Sequence, residues 1–143
     1  MRLSVVVPCF NEEHALKHLQ RALLDVLPGV AEEFEVLLVD DGSRDGTLAV
    51  MRRLCAADPR FRYLALSRNF GKEAAMLAGL SQARGDAVAI MDADLQHPPA
   101  LLSAMVELLD QGHDLHGQRM HRGDPRPAWL PGRVNRRDHE HGE

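Results

Sequence analysis

Four short apolar runs recur along the chain: "LSVVVP" (3–8), "EVLLVDD" (35–41), "FRYLALS" (61–67) and "DAVAIMD" (86–92). Each is nearly continuous rather than alternating, the pattern of a strand covered on both faces, and together they predict a parallel sheet. Helical periodicity fills the gaps. Ala15, Leu16, Leu19, Ala22, Leu23, Val26 and Leu27 follow i, i+3, i+4, i+7 in a segment that opens at Asn11 and should stop at Pro28-Gly29. A second helix is expected from near Asp45, with Leu48, Met51, Leu54 and Cys55 inward, ending before Asp58-Pro59. A third runs from about Phe70 to Gly85, read as its C-terminal stop, and a fourth from Pro98-Pro99 to Gly112, with proline in its first turn. The order β-α-β-α-β-α-β-α defines an α/β fold: a doubly wound, mainly parallel sheet with helices on both faces.

Beyond these elements the pattern weakens. "HDLHGQR" (113–119) is a poor fifth strand, and 120–143 hold three prolines and three glycines without apolar periodicity. The expected division is a folded region over 1–119 and an irregular or disordered tail over 120–143. A chain of 143 residues, 45% hydrophobic and 27% charged, suits one globular core.

Charge and cysteine usage remove some classes. The net charge is −4, the excess basic residues fall in the tail, and no basic face of a nucleic-acid binder is visible. Cys9 and Cys55 lack metal-ligand spacing and no leader precedes them, which points to a reducing cytosol. No apolar run approaches the ~20 residues that span a bilayer, so membrane contact is expected only peripherally, at the inner face.

In an open parallel sheet, ligands bind outside the carboxyl ends of the strands. The residues that follow each run are Pro8, Asn11 and Glu12; Asp40, Asp41, Gly42 and Ser43; Ser67, Arg68 and Asn69; and Asp92, Asp94, Gln96 and His97. This rim is acidic with a few amides. It has neither G-x-G-x-x-G after the first strand nor G-x-x-x-x-G-K-[ST], so neither a dinucleotide fold nor a phosphate loop is indicated. Clustered carboxylates suit a hard divalent cation that bridges to a substrate diphosphate. Asp92 and Asp94, two residues apart, project on one side and can flank such an ion, which neutralises charge on a leaving diphosphate.

Each signal has a plainer reading. D-x-D occurs in surface turns, "DDGSRDGT" can be a turn and helix cap with Asp45 or Ser43 as the cap, and "NEE" can charge a first helical turn. His14 and His18, four residues apart, can clasp zinc or simply line a solvated face; His139 and His141 belong to the tail. The joint placement at one rim favours a site.

The motifs "SVVVPCFNEE", "VLLVDDGSRDGT", "LSRNFGKEAAMLAGLSQARGDAVAIMDADLQHPP" and "GQR" resemble the N-terminal, nucleotide-sugar-binding half of family 2 glycosyltransferases of GT-A fold, with the polyprenyl-phosphate and dolichol-phosphate sugar transferases as the nearest subgroup. The resemblance covers about residues 3–119. It implies that Pro8, Phe10 and Glu12 line the nucleoside pocket and that Val39 and Asp41 contact the base, with Asn11 among the substrate-binding residues. Asp92, Ala93 and Asp94 match the family's D-x-D, where the diphosphate and Mg²⁺ or Mn²⁺ bind, with Gln96 beside them. Arg119 matches an arginine that faces the phosphates. Arg68, Asn69 and Lys72 match a segment that shapes the donor site. Asp92, Asp94 and Arg119 are thus the implied catalytic residues.

The implied reaction moves a hexose from a nucleoside-diphosphate sugar to a polyprenyl phosphate with inversion, as in cell-envelope glycosylation. The acceptor is already an anion, so no strong general base is required. The acceptor half and the membrane helices of the subgroup are not recognisable after "HGQRMHRGD", which suggests a truncated or frameshifted reading frame. A non-catalytic nucleotide-sugar-binding fragment is therefore the alternative, and self-association through an exposed sheet edge a corollary. A receiver-type signalling domain fits less well, since its acidic pair follows the first strand and its lysine the fifth.

Overall fold

Val5, Val6 and Val7 are each fully buried, so the first apolar run is covered on both faces as its continuous pattern requires. The computed structural model describes residues 2–94, residues 103, 104 and 107, and the backbone of 116–117 and 129–130. Strands β1 (Arg2–Cys9), β2 (Glu33–Asp40), β3 (Phe61–Ala65) and β4 (Ala87–Ile90) form one parallel sheet in the order β3-β2-β1-β4. Helices α1 (Ala15–Val30), α2 (Thr47–Ala57) and α3 (Lys72–Gln82) alternate with the strands. The expected doubly wound α/β architecture is the one observed.

The strand alternation separates two cores. Leu3, Val5, Val7 and Cys9 of β1 and Val36 and Leu38 of β2 pack under α1 and α2, with Leu16, Leu19, Leu23, Leu27 and Met51. Val6, Leu37 and Val39 face the other way, against Ala75 of α3. Gly79 is what lets α3 sit so close: a Cβ there would lie 2.4 Å from Val6 Cγ1 and 3.1 Å from Val39 Cγ2. Helix propensity alone disfavours glycine at that position by about 1 kcal/mol, so packing decides the residue.

Three boundaries differ from the expected ones, each for a local reason. Helix α1 does not begin at Asn11, whose φ of 54° is left-handed; it begins at Ala15, with Glu12 O accepting the N–H groups of Ala15 and Leu16. Nor does Pro28-Gly29 stop it. Pro28 sits inside the last turn, and the Ala31 N–H still closes on Leu27 O at 3.1 Å. Gly85 is not a helix cap, since α3 ends at Gln82 with the Ala83 N–H on Gly79 O. Gly85 serves a close crossing instead, where a Cβ would fall 2.6 Å from Ser4 Oγ and 2.7 Å from Ser4 N.

At the sheet edge away from the strand ends, Glu35 is buried and ties four segments together. Its Oε1 accepts the Ser4 hydroxyl at 2.7 Å and the Arg84 N–H at 2.6 Å, while Oε2 lies 3.3 Å from Arg62 Nε. The Ser4 hydroxyl in turn accepts the Gly85 N–H at 2.8 Å. Burial alone would raise the Glu35 carboxyl, but the Arg84 N–H, the Ser4 hydroxyl and the Arg62 and Arg2 charges hold it below its ordinary range.

Of the expected fourth helix, Ser103, Ala104 and Glu107 are helical; the remainder lies outside the described residues. In place of a fifth strand over 113–119, β5 (His116–Gly117) pairs antiparallel with β6 (Trp129–Leu130) as a separate two-stranded sheet. Among the described residues no helix is long and apolar enough to cross a membrane.

Candidate functional site

The strand order reverses between β1 and β4: β2 and β3 are laid down on one side of β1, and the chain then crosses to the other. Such a switch point opens a crevice beyond the carboxyl ends of the two diverging strands, where α/β sheets bind ligands. The observed cleft lies there. It measures about 160 Å³ and is lined by Pro8, Cys9, Phe10, Glu12, Asp41, Lys72, Asp92, Ala93 and Asp94.

Two backbone motifs that the sequence presents separately are joined beside it. The Asn11 N–H donates to Ser43 Oγ at 2.9 Å and Asn11 Oδ1 accepts the Arg44 N–H at 2.9 Å. The Glu12 N–H donates to Thr47 Oγ1 at 2.8 Å, and Glu13 Oε2 accepts the Gly46 N–H at 3.2 Å. The β1–α1 and β2–α2 loops thus satisfy each other's polar groups, fixing Glu12 at the cleft without a helical scaffold. Ser43 is consumed in this staple. Asp45 receives the Thr47 N–H at 2.9 Å and its hydroxyl, one turn-like step before α2.

A second clamp holds the other wall. Asp41, 4% exposed, accepts the Phe70 N–H on Oδ1 at 2.9 Å and the Asn69 amide on Oδ2 at 3.4 Å. The crossing is possible because Gly42 has a φ of 71° and no side chain: a Cβ would lie 2.4 Å from both Arg68 C and Asn69 N. Gly42→Ala is therefore expected to destabilise the chain by about 1–3 kcal/mol and to detach the Asp41–Phe70 clamp. Urea denaturation reads the first effect, and exchange of the Phe70 amide reads the second.

The carboxylates of the cleft crowd one another. Burial pushes the Glu12 carboxyl above its ordinary range, and the neighbouring charges of Asp94, Asp45 and Asp92 add to the push. Lys72, the first residue of α3, donates to Asp92 Oδ1 in a partly buried ion pair. Cys9 is 2% exposed and its thiol is driven far upward by burial, then by Glu12 and Asp40, so it lines the cleft as an inert group.

The structure brings together eight of the residues singled out from sequence: Pro8, Phe10, Glu12, Asp41, Lys72, Asp92, Ala93 and Asp94. Three others stand apart. Asn11 is engaged in the loop staple, Val39 is fully buried beneath α3, and Arg68 is exposed and stacks 4.7 Å from the Phe70 ring. Gln96, His97 and Arg119 lie outside the described residues. Cys9 and Thr47 escaped the sequence reading. Cys9 has no chemical signature there, and Thr47 acts through a loop that only folding brings near.

His14 and His18 line a separate groove with Lys17, Arg21 and Arg53. Among the described residues no group of three or more His, Cys, Asp or Glu side chains is arranged to hold a metal ion. Asp92 and Asp94 would offer a cation two carboxylates. Mg²⁺-like ions are commonly held in that way, by one or two carboxylates plus phosphates, and the oxygen-only donors fit.

The molecule is thus an α/β domain with an acidic cleft at the switch point of its sheet. Residues 4–142 match the family described as Glycosyl transferase family 2, and the chain belongs to that family. It is 40% identical over 129 residues to the undecaprenyl-phosphate 4-deoxy-4-formamido-L-arabinose transferase of Pseudomonas syringae pv. syringae, covering 89% of this chain and 38% of that one. The mannosyltransferase PcManGT from Pyrobaculum calidifontis, solved in complex with GDP-Man and Mn²⁺, superposes with a TM-score of 0.65 at 27% identity, covering 86% of this chain and 36% of that one. S. aureus TarS 1–349 in complex with UDP superposes with a TM-score of 0.64 at 27% identity, covering 89% and 38%. The GT-A fold is thereby shared. The chain spans well under half the length of the curated relatives it matches, for instance 37% and 36% of two from Bacillus subtilis.

Proposed function

We propose that the cleft holds a nucleoside-diphosphate sugar with Mg²⁺ or Mn²⁺, and that the chain serves inverting transfer of a hexose to a polyprenyl phosphate. The observation that carries this reading is the meeting of Glu12, Asp92 and Asp94 around one cavity at the β1/β4 switch point. Pro8 and Phe10 supply an apolar wall for the nucleoside, with Glu12 accepting hydroxyl or N–H groups. Asp41, with Val39 behind it, faces the base, and Asn11 keeps the loop in place. Asp92 and Asp94 would hold the cation, with Ala93 between them facing the diphosphate, and Arg68, outside the cleft lining, would shape the donor site only through the Phe70 loop it stacks on. Gln96 and Arg119 are proposed to complete it on the phosphate side.

The cation supplies Lewis-acid stabilisation of the leaving diphosphate. The protein's part is to orient the donor and to bring carboxylates and cation together, which favours positioning over proton transfer. A phosphate acceptor attacks as an anion, and no side chain need remove a proton. Support comes from the relative named as an undecaprenyl-phosphate sugar transferase and from the neighbours solved with GDP-Man and Mn²⁺ or with UDP. A lipid acceptor would place the reaction peripherally at the inner face of a membrane. A second reading is donor binding without transfer, to which the acidic lining among the described residues is equally suited.

Calorimetric titration of UDP-glucose and GDP-mannose, with and without Mn²⁺, tests the donor site. Binding that requires the cation is expected for one of the two donors. Equal heats without the cation, or no heat with it, would remove the proposal. Transfer of labelled sugar to a short-chain polyprenyl phosphate separates the two readings.

A further inference from the structure

The Lys72–Asp92 pair spans the cleft mouth, joining the amino end of α3 to the turn after β4. Both side chains are largely withdrawn from solvent, at 31% and 15% exposure, so the ammonium is held in the cleft rather than waving above it. Gly71, at φ 99°, immediately precedes Lys72 as the N-cap residue of α3. Asp92 is also one of the two carboxylates to which the proposed function assigns the cation. One carboxylate therefore has two claimants of the same sign.

Resting on that reading, we propose that Lys72 and the divalent cation compete for Asp92, and that a diphosphate resolves the competition by drawing the ammonium onto its own oxygens. A divalent cation alone meets a carboxylate already neutralised in part, beside a fixed positive charge that repels it. A diphosphate alone meets the carboxylates of Glu12, Asp92 and Asp94, which repel it in turn. When both arrive, the ammonium exchanges one charge-assisted hydrogen bond for another, and Asp92 is released to the metal. Lys72 thereby couples cation binding to diphosphate binding. It is a positioning residue for the donor and no bond is made or broken at it.

Lysine suits this work because its ammonium is a compact charge on a flexible stem, free to change partner.

The test is a set of Mn²⁺ titrations followed by electron paramagnetic resonance on the 143-residue chain, with and without UDP or GDP, in the wild type, Lys72→Met and Lys72→Arg. In Lys72→Met, Mn²⁺ alone should bind about tenfold tighter, and nucleoside diphosphate with saturating Mn²⁺ about tenfold weaker, the ordinary range for coupled sites. Lys72→Arg keeps the charge and should preserve the coupling. The opposite signs matter, because a lysine that merely supports the fold would weaken both when replaced. Loss of both affinities in Lys72→Met, or no change in either, overturns the competition while leaving the donor site intact. Failure of the wild type to bind Mn²⁺ even with nucleoside diphosphate would overturn both proposals.

Discussion

Replacing Asp92 and Asp94 together by asparagine should abolish the cation-dependent part of donor binding, a loss of more than about 100-fold. Changing only an outer partner of a metal ligand already costs about 10- to 100-fold in affinity, and here both proposed ligands lose their charge. The fold should survive. The two residues follow β4 rather than belonging to it; relief of their repulsion with Glu12 offsets loss of the Lys72–Asp92 pair, so the melting temperature is expected to change little. Isothermal titration of the donor with Mn²⁺, paired with a thermal melt, reads both effects. A variant that kept full cation-dependent affinity would place the metal elsewhere, and one that failed to fold would give these carboxylates a structural role.

Glu35→Ala should be strongly destabilising, by about 3–5 kcal/mol, the range for breaking a buried ion pair from one side. It would leave the Ser4 hydroxyl, the Arg84 N–H and the Arg62 guanidinium facing a vacated acceptor. The contribution should depend on pH in a defined direction. The folded carboxyl lies below its ordinary value of 4.5, so its stabilisation is complete above the unfolded value and fades as pH falls through the lower folded one. Urea denaturation of the wild type and Glu35→Gln at neutral pH and near pH 3 should show a gap that narrows on acidification. A gap that widened instead would mean that the pair is held together by something other than its charge.

Glu35 also marks the limit of what patterning conveys. In "EVLLVDD" it reads as the polar start of a strand, because its partners Ser4, Arg62 and Arg84 lie far away in sequence and no period connects them. The strands themselves were legible, since both faces are covered and burial then demands continuous apolar runs. The α1 face was legible for the same reason, with Leu16, Leu19, Leu23 and Leu27 all inward; in α2 Met51 is buried as expected, but Val50 takes the core position expected for Leu48. Asp92 and Asp94 stood out because two carboxylates directly after a buried strand have no role in a core, Glu12 and Asp41 joined them because a parallel sheet gathers its strand ends, and Lys72 was marked only by its match to a family segment. Asn11 could not be told from a ligand-facing amide, for its staple to Ser43 and Arg44 exists only once two loops meet. Gly79 and Gly85 were misread or passed over because their reason is the nearness of another segment, Val6 in one case and Ser4 in the other.

The central claim, that donor and cation meet at the β1/β4 switch point, is most directly tested by paramagnetic broadening of backbone amide signals in an isotope-labelled chain, with Mn²⁺ added at substoichiometric levels together with UDP or GDP. The signals of Phe10, Glu12, Lys72, Ala93 and Asp94 should vanish first, while those of Glu35, Arg84 and Gly85 at the opposite edge of the sheet persist. Broadening centred on His14 and His18, or spread evenly over the chain, would contradict it.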